Sequence, residues 1–346
     1  MKQYSINLLA WYDDHRREFE WRDRGMTPYQ IWLSEVMLQQ TGTKTVTPYY
    51  LRFIARFPTV AALAEAEPGE VLKLWAGLGY YARGRNLHRA AEMVMAEFGG
   101  EFPDQESLLL RLPGVGTYTA AAIAAIAFDR RAVVVDGNVE RILSRYFAVE
   151  EFLPQAKPRL RELAEQVTPQ LRNGDFAQAS FDLGATICRP RNPDCGHCPL
   201  RRDCRALAMD AVESFPKKGP KPQRPQRFGT VFWLEDETGN LLLRHRPPQG
   251  LLGGMVEIPS SEWQAVRPNG QVVTDEFFYK QLEWQETGIT VSHVFTHFAL
   301  ELQVIRAFTA QALVVEPPWF WARREELPHL ALPSLFRKVI KQMERF

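Results

Sequence analysis

The fold of this chain is decided by residues 188–204, which read CRPRNPDCGHCPLRRDC and hold all four of its cysteines. The spacing is C-x6-C-x2-C-x5-C, and the run is too short for disulfides to connect distant parts of a fold. Its three prolines and one glycine argue against helix or strand, so metal ligands supply the order. Four thiolates suit a tetrahedral zinc ion or an iron–sulfur cluster; the alternatives are buried free thiols or two local disulfides.

Length and hydropathy set further limits. The 346 residues suit two domains, at roughly 150 residues for each. The N-terminal run MKQYSINLLAWYDDHRREFEW is broken by charge after a few apolar residues, so we expect neither a signal peptide nor a membrane span. Elsewhere the chain does not approach the roughly 18 apolar residues of a membrane helix. Cysteines kept as thiolates for a metal fit a reducing cytoplasm.

The charge distribution says more than the net charge of +1. Between Cys188 and Arg205 five arginines face two aspartates, and Lys217 to Arg227 holds five basic residues and no acid. A local basic strip can follow the phosphates of a nucleic acid even on a neutral protein. The second stretch is equally explained as a solvated basic linker.

Residues 4 to about 212 show helical periodicity throughout. Thr27 followed by Pro28 predicts an N-cap with proline at the first helical position. Helices are predicted at about 28–40, 43–56, 59–66, 69–75, 83–98, 104–111, 117–128, 137–147, 157–171 and 175–187. We therefore assign residues 1–213 to an all-α domain.

A linker and a second domain follow. Residues 214–227, SFPKKGPKPQRPQR, hold four prolines and a glycine without apolar periodicity, which predicts an extended linker. Two β-rich runs then flank the turn residues Asp236 to Asn240, and residues 302–310 are another strand candidate. We therefore assign residues 228–346 to an α+β domain.

Residues 112–120, LPGVGTYTA, lie between two helical patterns. Gly114 and Gly116 follow a proline and predict a tight hairpin whose backbone N–H groups are unobstructed by side chains. Those groups, with the N-terminus of the next helix, suit a phosphate oxygen. The alternative is an ordinary glycine-rich turn between helices.

Two carboxylates are candidates for acid–base chemistry. Asp136 ends the apolar run of VVVDGNVERIL, where a helix begins; taken on its own, an aspartate at this position is most often only an N-cap. Glu35 is flanked by Trp, Leu, Val and Met, so partial desolvation would raise its pKa and let it act as an acid near neutral pH. The alternative is a glutamate on the outer face of an amphipathic helix.

The order of these motifs resembles the endonuclease III superfamily of DNA glycosylases, and within it the MutY branch of adenine DNA glycosylases. The resemblance covers essentially the whole chain and is carried by SEVMLQQT at 34–41, GLGYYARGRNLH at 77–88, LPGVGTYTA at 112–120 and VDGNVERI at 135–142. It implies a helix-hairpin-helix domain whose loop 188–204 holds a 4Fe-4S cluster. The ligands it implies are Cys188, Cys195, Cys198 and Cys204.

The resemblance also implies catalytic roles. Glu35 would protonate the departing adenine, while Asp136 would face the cationic sugar as a stabiliser or transient nucleophile, with Tyr118 and Asn138 supporting it by hydrogen bonds. Bifunctional relatives carry a lysine where Tyr118 stands here. A phenol cannot form the Schiff base that strand cleavage needs, so a monofunctional enzyme is expected.

DNA contacts follow from the same motifs. Gln40 and Tyr80 would fill the gap that the flipped adenine leaves. Without the family, a polar helix end and a core aromatic would be the simpler interpretations of these two residues. Leu78, Gly114 and Gly116 complete the implied DNA-binding set.

The second domain resembles the MutT-like (Nudix) fold that this branch uses to recognise 8-oxoguanine. Phe295, Thr296 and His297 resemble the Phe-Ser-His lesion loop, with threonine in place of serine. Gly270 and Glu276 match part of a Nudix box, but Trp284-Gln285 stands where Arg-Glu should, which disfavours nucleotide hydrolysis.

We therefore expect base excision repair on double-stranded DNA with adenine opposite 8-oxoguanine or guanine, by a cytoplasmic, nucleoid-associated monomer without membrane contact. Partnership with other repair proteins stays open. Two alternatives remain: a glycosylase for another mismatched base, such as thymine opposite guanine, and a non-catalytic iron–sulfur DNA-binding regulator.

Overall fold

The computed structural model describes residues 2–23, 25–220, 224–247, 249–267, 282–310 and 313–346. The chain forms two compact units. One contains Met1–Leu74 and Arg83–Pro220, and the other contains Trp75–Ala82 and Lys221–Phe346.

Helices make up the regular structure of the first unit in the part of the chain described. They are α1 Lys2–His15, α2 Pro28–Leu38, α3 Thr43–Arg56, α4 Val60–Ala64, α5 Pro68–Trp75, α6 Ala82–Phe98, α7 Glu106–Leu109, α8 Thr117–Phe128, α9 Gly137–Phe147, α10 Lys157–Val167, α11 Asn173–Thr186 and α12 Arg205–Ala208. The predicted all-α class of this region is confirmed.

Helix α8 forms the centre of the first unit. Its sequence TYTAAAIAAIAF is rich in alanine, and residues 119–125 are buried. Small side chains let α2 and α11 pack closely on α8. Helices α1 and α9 pack on α11, and α10 packs on α9. At one crossing a Cβ added to Gly174 would lie 2.8 Å from the carbonyl oxygen of Ala125, so α11 requires glycine there.

The start of α2 confirms the predicted cap. Thr27 Oγ1 accepts a hydrogen bond from the Gln30 amide at 3.3 Å, and Gln30 Oε1 accepts one from the Thr27 amide at 2.8 Å. Together with Pro28 at the first helical position, this is a complete capping box. The helix ends at Leu38, so the prediction that it reaches residue 40 is wrong. The reason is that Arg83 binds the carbonyl groups at its end.

The helix-hairpin-helix prediction is also confirmed. Helices α7 and α8 enclose the turn, and Gly114 has a φ of 78° that favours glycine. A Cβ at Gly114 would lie 2.8 Å from the Cβ of Asn86, whereas one at Gly116 would meet nothing within 4 Å. Gly116 is the N-cap of α8.

The second unit contains one mixed sheet. Its strands are β1 Gln226–Asp236, β2 Leu241–His245, β3 Val256–Glu257, β4 Gln285–Val294, β5 Ala299–Thr309 and β6 Trp319–Ala322. The order is β3-β2-β1-β5-β4, with β6 paired to β2. Strands β1 and β5 are parallel, and the remaining pairs are antiparallel. Strand β1 begins inside the sequence assigned to the linker.

Packing of the sheet supports the predicted α+β class. Helix α13 Ser334–Met343 contributes Leu335, Phe336 and Val339 to the core cluster that β1, β2 and β5 share. The predicted hairpin is present, because the Asp236 carboxylate accepts amide hydrogen bonds from Thr238 and Asn240, both at 2.9 Å, between β1 and β2. The strand predicted at 302–310 lies in β5. Over the ranges described, no helix combines the length and apolar character needed to cross a bilayer.

Candidate active site and cysteine cavity

Glu35 lies on α2 and faces the interior. Glu35 is only 6 % exposed, and its neighbours Trp32, Leu33 and Val36 are buried as well. The interpretation of Glu35 as an outward-facing glutamate is therefore wrong. The Tyr118 hydroxyl, from the first turn of α8, donates to Glu35 Oε2 at 3.0 Å.

Burial raises the pKa of the Glu35 carboxyl group to about 7. The hydrogen bond from Tyr118 and the positive charge of Arg22 lower this pKa, while the negative charge of Asp136 raises it. Desolvation wins, because a carboxylate without bulk water loses more free energy than one hydrogen bond and one distant cation return. At neutral pH the group therefore exists in both protonated and ionised forms.

Asp136 is the N-cap of α9 and at the same time a member of the site. Its Oδ1 accepts from the amides of Asn138 at 2.9 Å and Val139 at 2.8 Å, and its Oδ2 accepts from Asn138 Nδ2 at 2.8 Å. Burial raises the pKa of Asp136, and these three hydrogen bonds oppose the rise. They favour the ionised form and fix its orientation.

Both carboxylates line one cavity of about 320 Å³. Tyr118 and Asn138 line it too, so the four residues predicted to act together lie around the same space. Aromatic and apolar walls come from Phe19, Trp21, Ile31, Leu38, Ile126 and Phe181. The arrangement offers a proton donor and a fixed anion to one enclosed ligand.

The segment before α2 adds residues that sequence reasoning missed. Arg17 and Arg22 line the cavity, and both pair with Asp182 of α11 at 2.7 Å. Asp182 is fully buried, and the rings of Phe19 and Trp21 stack with centroids 5.0 Å apart. The sequence signal for this contact was Asp182 itself, which stands between the apolar residues Phe181 and Leu183 in α11.

Arg141 connects the Asp136 side of the cavity to the cysteine segment. Its Nη2 donates to Asn138 Oδ1 and to the carbonyl oxygen of Gly184, both at 2.8 Å. Its Nε donates to the carbonyl oxygen of Cys188, also at 2.8 Å. Asn138, which orients Asp136, is thus held by Arg141, and Arg141 is bound in turn to the first residue of the cysteine loop 188–204.

The four cysteines line a second cavity. Its other walls include Ile142, Leu183, Leu200, Leu207 and the buried Arg145. Arg145 donates to Cys188 Sγ at 3.4 Å and to the carbonyl oxygens of Arg189 and Pro190. Over the described ranges, no three His, Cys, Asp or Glu side chains are grouped as ligands of one metal ion. Burial raises the pKa of Cys198 to about 12, and the other three cysteines add to the rise.

The predicted DNA-binding residues differ in exposure. Gln40 is exposed beyond the end of α2, and Tyr80 is 54 % exposed, so the core-aromatic interpretation of Tyr80 is wrong. Both have left-handed backbones, with φ of 59° and 47°. Leu78 is only 5 % exposed, which argues against a DNA contact through its side chain. The five arginines between Cys188 and Arg205 are all exposed.

Phe295, Thr296 and His297 form the turn between β4 and β5. The Phe295 ring stacks on Trp263 at 5.6 Å and contacts Phe298 at 4.9 Å, while Thr296 and His297 are exposed. Sequence reasoning did not identify Trp263, because it is distant in the chain. Gly270 and Glu276, the partial Nudix match, lie outside the described residues.

Comparison with known proteins assigns both units. The HhH-GPD superfamily of base excision DNA repair proteins matches residues 33–169, and the NUDIX domain matches residues 230–342. A solved thermostable thymine-DNA glycosylase is 31% identical, with a TM-score of 0.56 over 60% of this chain and 97% of that one. The first unit thus has the fold of a helix-hairpin-helix DNA glycosylase.

Curated relatives narrow the assignment. The adenine DNA glycosylase of Rattus norvegicus is 36% identical over 98% of this chain and 77% of its own length. That of Buchnera aphidicola subsp. Acyrthosiphon pisum is 30% identical over 99% of this chain and 98% of its own length. The chain belongs to the adenine DNA glycosylase family, as the resemblance implied.

The raised pKa of Glu35 predicts a pH-dependent cost to stability. Folding shifts this pKa from 4.5 to about 7, so the folded state binds the proton more tightly than the unfolded state. The stability that comes from this tighter proton binding is lost as pH rises through that interval. We expect Glu35→Gln to increase the free energy of unfolding by about 3 kcal/mol at pH 8 and by much less at pH 5. Calorimetric unfolding at both pH values measures the difference.

The exposed Glu101 provides the matched control. Glu101→Gln should change stability little at either pH. Equal gains for Glu35→Gln at pH 5 and pH 8 would show that titration of Glu35 is not the cause.

Proposed function

We propose that the protein hydrolyses the N-glycosidic bond of adenine in duplex DNA. The observation that carries this proposal is the pair of carboxylates, Glu35 and Asp136, that line one 320 Å³ cavity in different environments. When the environments of two carboxyl groups give them different pKa values, one can protonate the leaving group while the other stabilises an oxocarbenium-like sugar. The adenine must leave the duplex to reach them.

Glu35 acts as the acid. Its pKa of about 7 leaves a substantial protonated fraction at neutral pH, when the carboxyl proton can pass to a ring nitrogen of adenine. The C1′–N9 bond then breaks, and the bonding electrons leave with the protonated base. Glu35, now ionised, accepts a proton from the water whose oxygen bonds to C1′. Atoms and charge balance over the cycle.

Asp136, in its ionised form, faces the cationic sugar. Its three donors hold the carboxylate in one orientation, and Asn138 is held in turn by Arg141. This pre-oriented anion stabilises positive charge that develops only as the bond breaks. A transient bond from an Asp136 oxygen to C1′ is the alternative form of the same stabilisation. Tyr118 supplies no amine, so the strand stays intact.

The DNA would be held by three features. The hairpin at Gly114 and Gly116 and the N-terminus of α8 present backbone N–H groups to a phosphate. Gln40 and Tyr80 fill the gap left by the flipped base, as exposed side chains can. The exposed arginines of the cysteine loop follow the phosphate backbone.

Recognition of 8-oxoguanine or guanine opposite adenine is assigned to the turn of Phe295, Thr296 and His297. The Phe295 ring packs against Trp263 and Phe298, which anchors the turn that carries the Thr296 hydroxyl and the His297 imidazole. Both are exposed and can hydrogen-bond to a purine edge.

Cys188, Cys195, Cys198 and Cys204 would hold a 4Fe-4S cluster. All four cysteines line one cavity whose other walls are largely apolar, which suits the four thiolate ligands of such a group. Bound iron would stabilise the thiolates that burial disfavours. The cluster would order the arginine-rich loop and the Cys188 carbonyl that Arg141 binds.

We further assign residues 1–213 to catalysis, 214–227 to a linker whose last two residues already belong to β1, and 228–346 to lesion recognition, in a cytoplasmic, nucleoid-associated monomer. Double-stranded DNA is the partner that these assignments require.

A panel of duplexes tests the reaction. Single-turnover assays with A:8-oxoguanine, A:G, A:T and T:G pairs, followed by hot alkali, show which base is removed. We expect release of adenine from the first two pairs and no strand break before alkali. Glu35→Gln should bind the A:8-oxoguanine duplex but release adenine at least ~100-fold more slowly.

The same panel separates the alternatives. Thymine removal from T:G without adenine removal would identify a glycosylase for another base. Binding of all duplexes without release of any base would identify a regulator. Rapid turnover by Glu35→Gln would contradict the assignment of the acid.

Lesion recognition has its own test. Thr296→Val keeps the shape of the side chain and removes its hydroxyl, and we expect it to reduce the preference for A:8-oxoguanine over A:G about tenfold, the effect of one lost base contact. Thr296→Ser should retain the preference. Glu237→Ala, at the exposed β1–β2 turn, is the control. An unchanged preference in Thr296→Val would remove this residue from the recognition set.

The cluster is tested by metal content. Protein purified anaerobically should be brown, absorb blue light and contain equal amounts of iron and sulfide, and Cys198→Ala should lose this iron. His197→Ala is the control, since His197 lies between two ligands but pairs with Asp194 at 2.9 Å. Colourless, zinc-loaded protein would contradict the 4Fe-4S assignment.

A further inference from the structure

The turn after α2 is strained at the residue proposed to enter the DNA. The helix ends at Leu38, and Gln40 follows with a φ of 59°. For a residue other than glycine this left-handed conformation is unfavourable, because the Cβ approaches the following carbonyl oxygen. Such conformations persist where contacts with the surrounding structure hold the backbone in place, and they are concentrated at functional sites.

Arg83, at the start of α6, holds the turn at Gln40 in this conformation. Its guanidinium group has acceptors on both sides of Gln40. These are the carbonyl oxygens of Val36 at 3.1 Å, Met37 at 2.9 Å and Gln39 at 2.6 Å and the hydroxyl oxygen of Thr41 at 3.2 Å. One planar cation therefore fixes the backbone before Gln40 and the side chain after it.

The chemistry of this contact suits arginine in particular. The last carbonyl groups of a helix lack amide partners within it and carry the negative end of the helix dipole. A guanidinium presents five donors in a rigid fork, so it can bind several carbonyl groups at once, whereas a lysine ammonium is a single point of charge. Arg83 thus binds the end of α2 where the sequence pattern predicted two further helical residues.

The same contact reaches the rim of the active-site cavity. Thr41, which accepts from Arg83, lines that cavity together with Glu35. Gln39, on the other side of Gln40, also donates from Nε2 to Thr119 Oγ1 of α8 at 3.0 Å. The residue between these two anchors is exposed and is held in one backbone geometry.

We propose that Arg83 is a positioning residue for base extrusion, which holds Gln40 in the geometry that fills the space left by the departing adenine. This inference rests on the proposed function. Arg83 itself needs no contact with DNA. Because Gln40 is already held in its binding geometry, it loses less conformational entropy when the base stack opens.

The test measures extrusion separately from chemistry. In a Glu35→Gln background adenine release is too slow to interfere, and a 2-aminopurine placed next to the target adenine fluoresces when the stack opens. We expect Arg83→Met to reduce the extruded fraction about tenfold, which corresponds to 1.4 kcal/mol, and Arg83→Lys to be intermediate. Arg89→Met removes an exposed cation from the same helix and should behave like the parent protein.

Two further measurements distinguish positioning from a general structural role. With Glu35 restored, Arg83→Met should slow adenine release while keeping the pH midpoint of the wild type. Adding Gln40→Ala to Arg83→Met should cause little further loss, because the two changes remove the same contribution. A shifted pH midpoint, or additive losses, would overturn the inference. If Arg83→Met does not fold, Arg83→Lys is measured in the same way.

Failure of this inference can be told from failure of the proposed function. A wild-type protein that releases no adenine from any duplex refutes the proposed function. An active wild type in which Arg83→Met and Arg83→Lys match Arg89→Met in fluorescence and rate refutes only the role of Arg83.

Discussion

The burial of the Glu35 carboxyl group is the constraint on which the first unit depends. Desolvation raises its pKa to about 7 against the opposing influence of Tyr118 and Arg22. A group in this state destabilises the fold at neutral pH, so the surrounding helices must hold it in place. The alanine-rich α8 allows this, because α2 packs closely enough on it to keep water from Glu35 and to bring the Tyr118 hydroxyl within 3.0 Å.

Arginine side chains fix the irregular segments around this carboxyl group. Arg22 and Arg17 tie the segment before α2 to the buried Asp182, Arg83 binds the turn after α2, and Arg141 joins α9 to the cysteine loop. Irregular backbone leaves carbonyl groups without the partners that a helix or sheet supplies. One guanidinium can satisfy several of them, so a few arginines hold the irregular segments that line part of the cavity, while helices α2, α8, α9 and α11 supply its other walls.

Local signals explain what could be predicted from the sequence. The Thr27-Pro28 cap, the Gly114 hairpin and the β1–β2 turn depend on neighbouring residues, and each was found at its predicted place. Contacts between distant residues were missed. Arg22 meets Asp182 across 160 positions and Arg83 meets Gln39 across 44, and no periodic pattern marks such pairs. The predicted end of α2 was wrong for the same reason.

Helix α9 shows why an unremarkable N-cap can organise a catalytic site. Asp136 caps the helix, and Asn138, Arg141 and Arg145 follow at intervals that keep them near one face. That face has the carboxylate at its first turn and the Cys188 carbonyl and sulfur at its later turns. A local rule placed Asp136 at the helix start, and the same placement aims three donors at its oxygens. The cap and the proposed catalytic anion are therefore one structure, since the hydrogen bonds that begin the helix also favour the ionised carboxylate and fix its orientation.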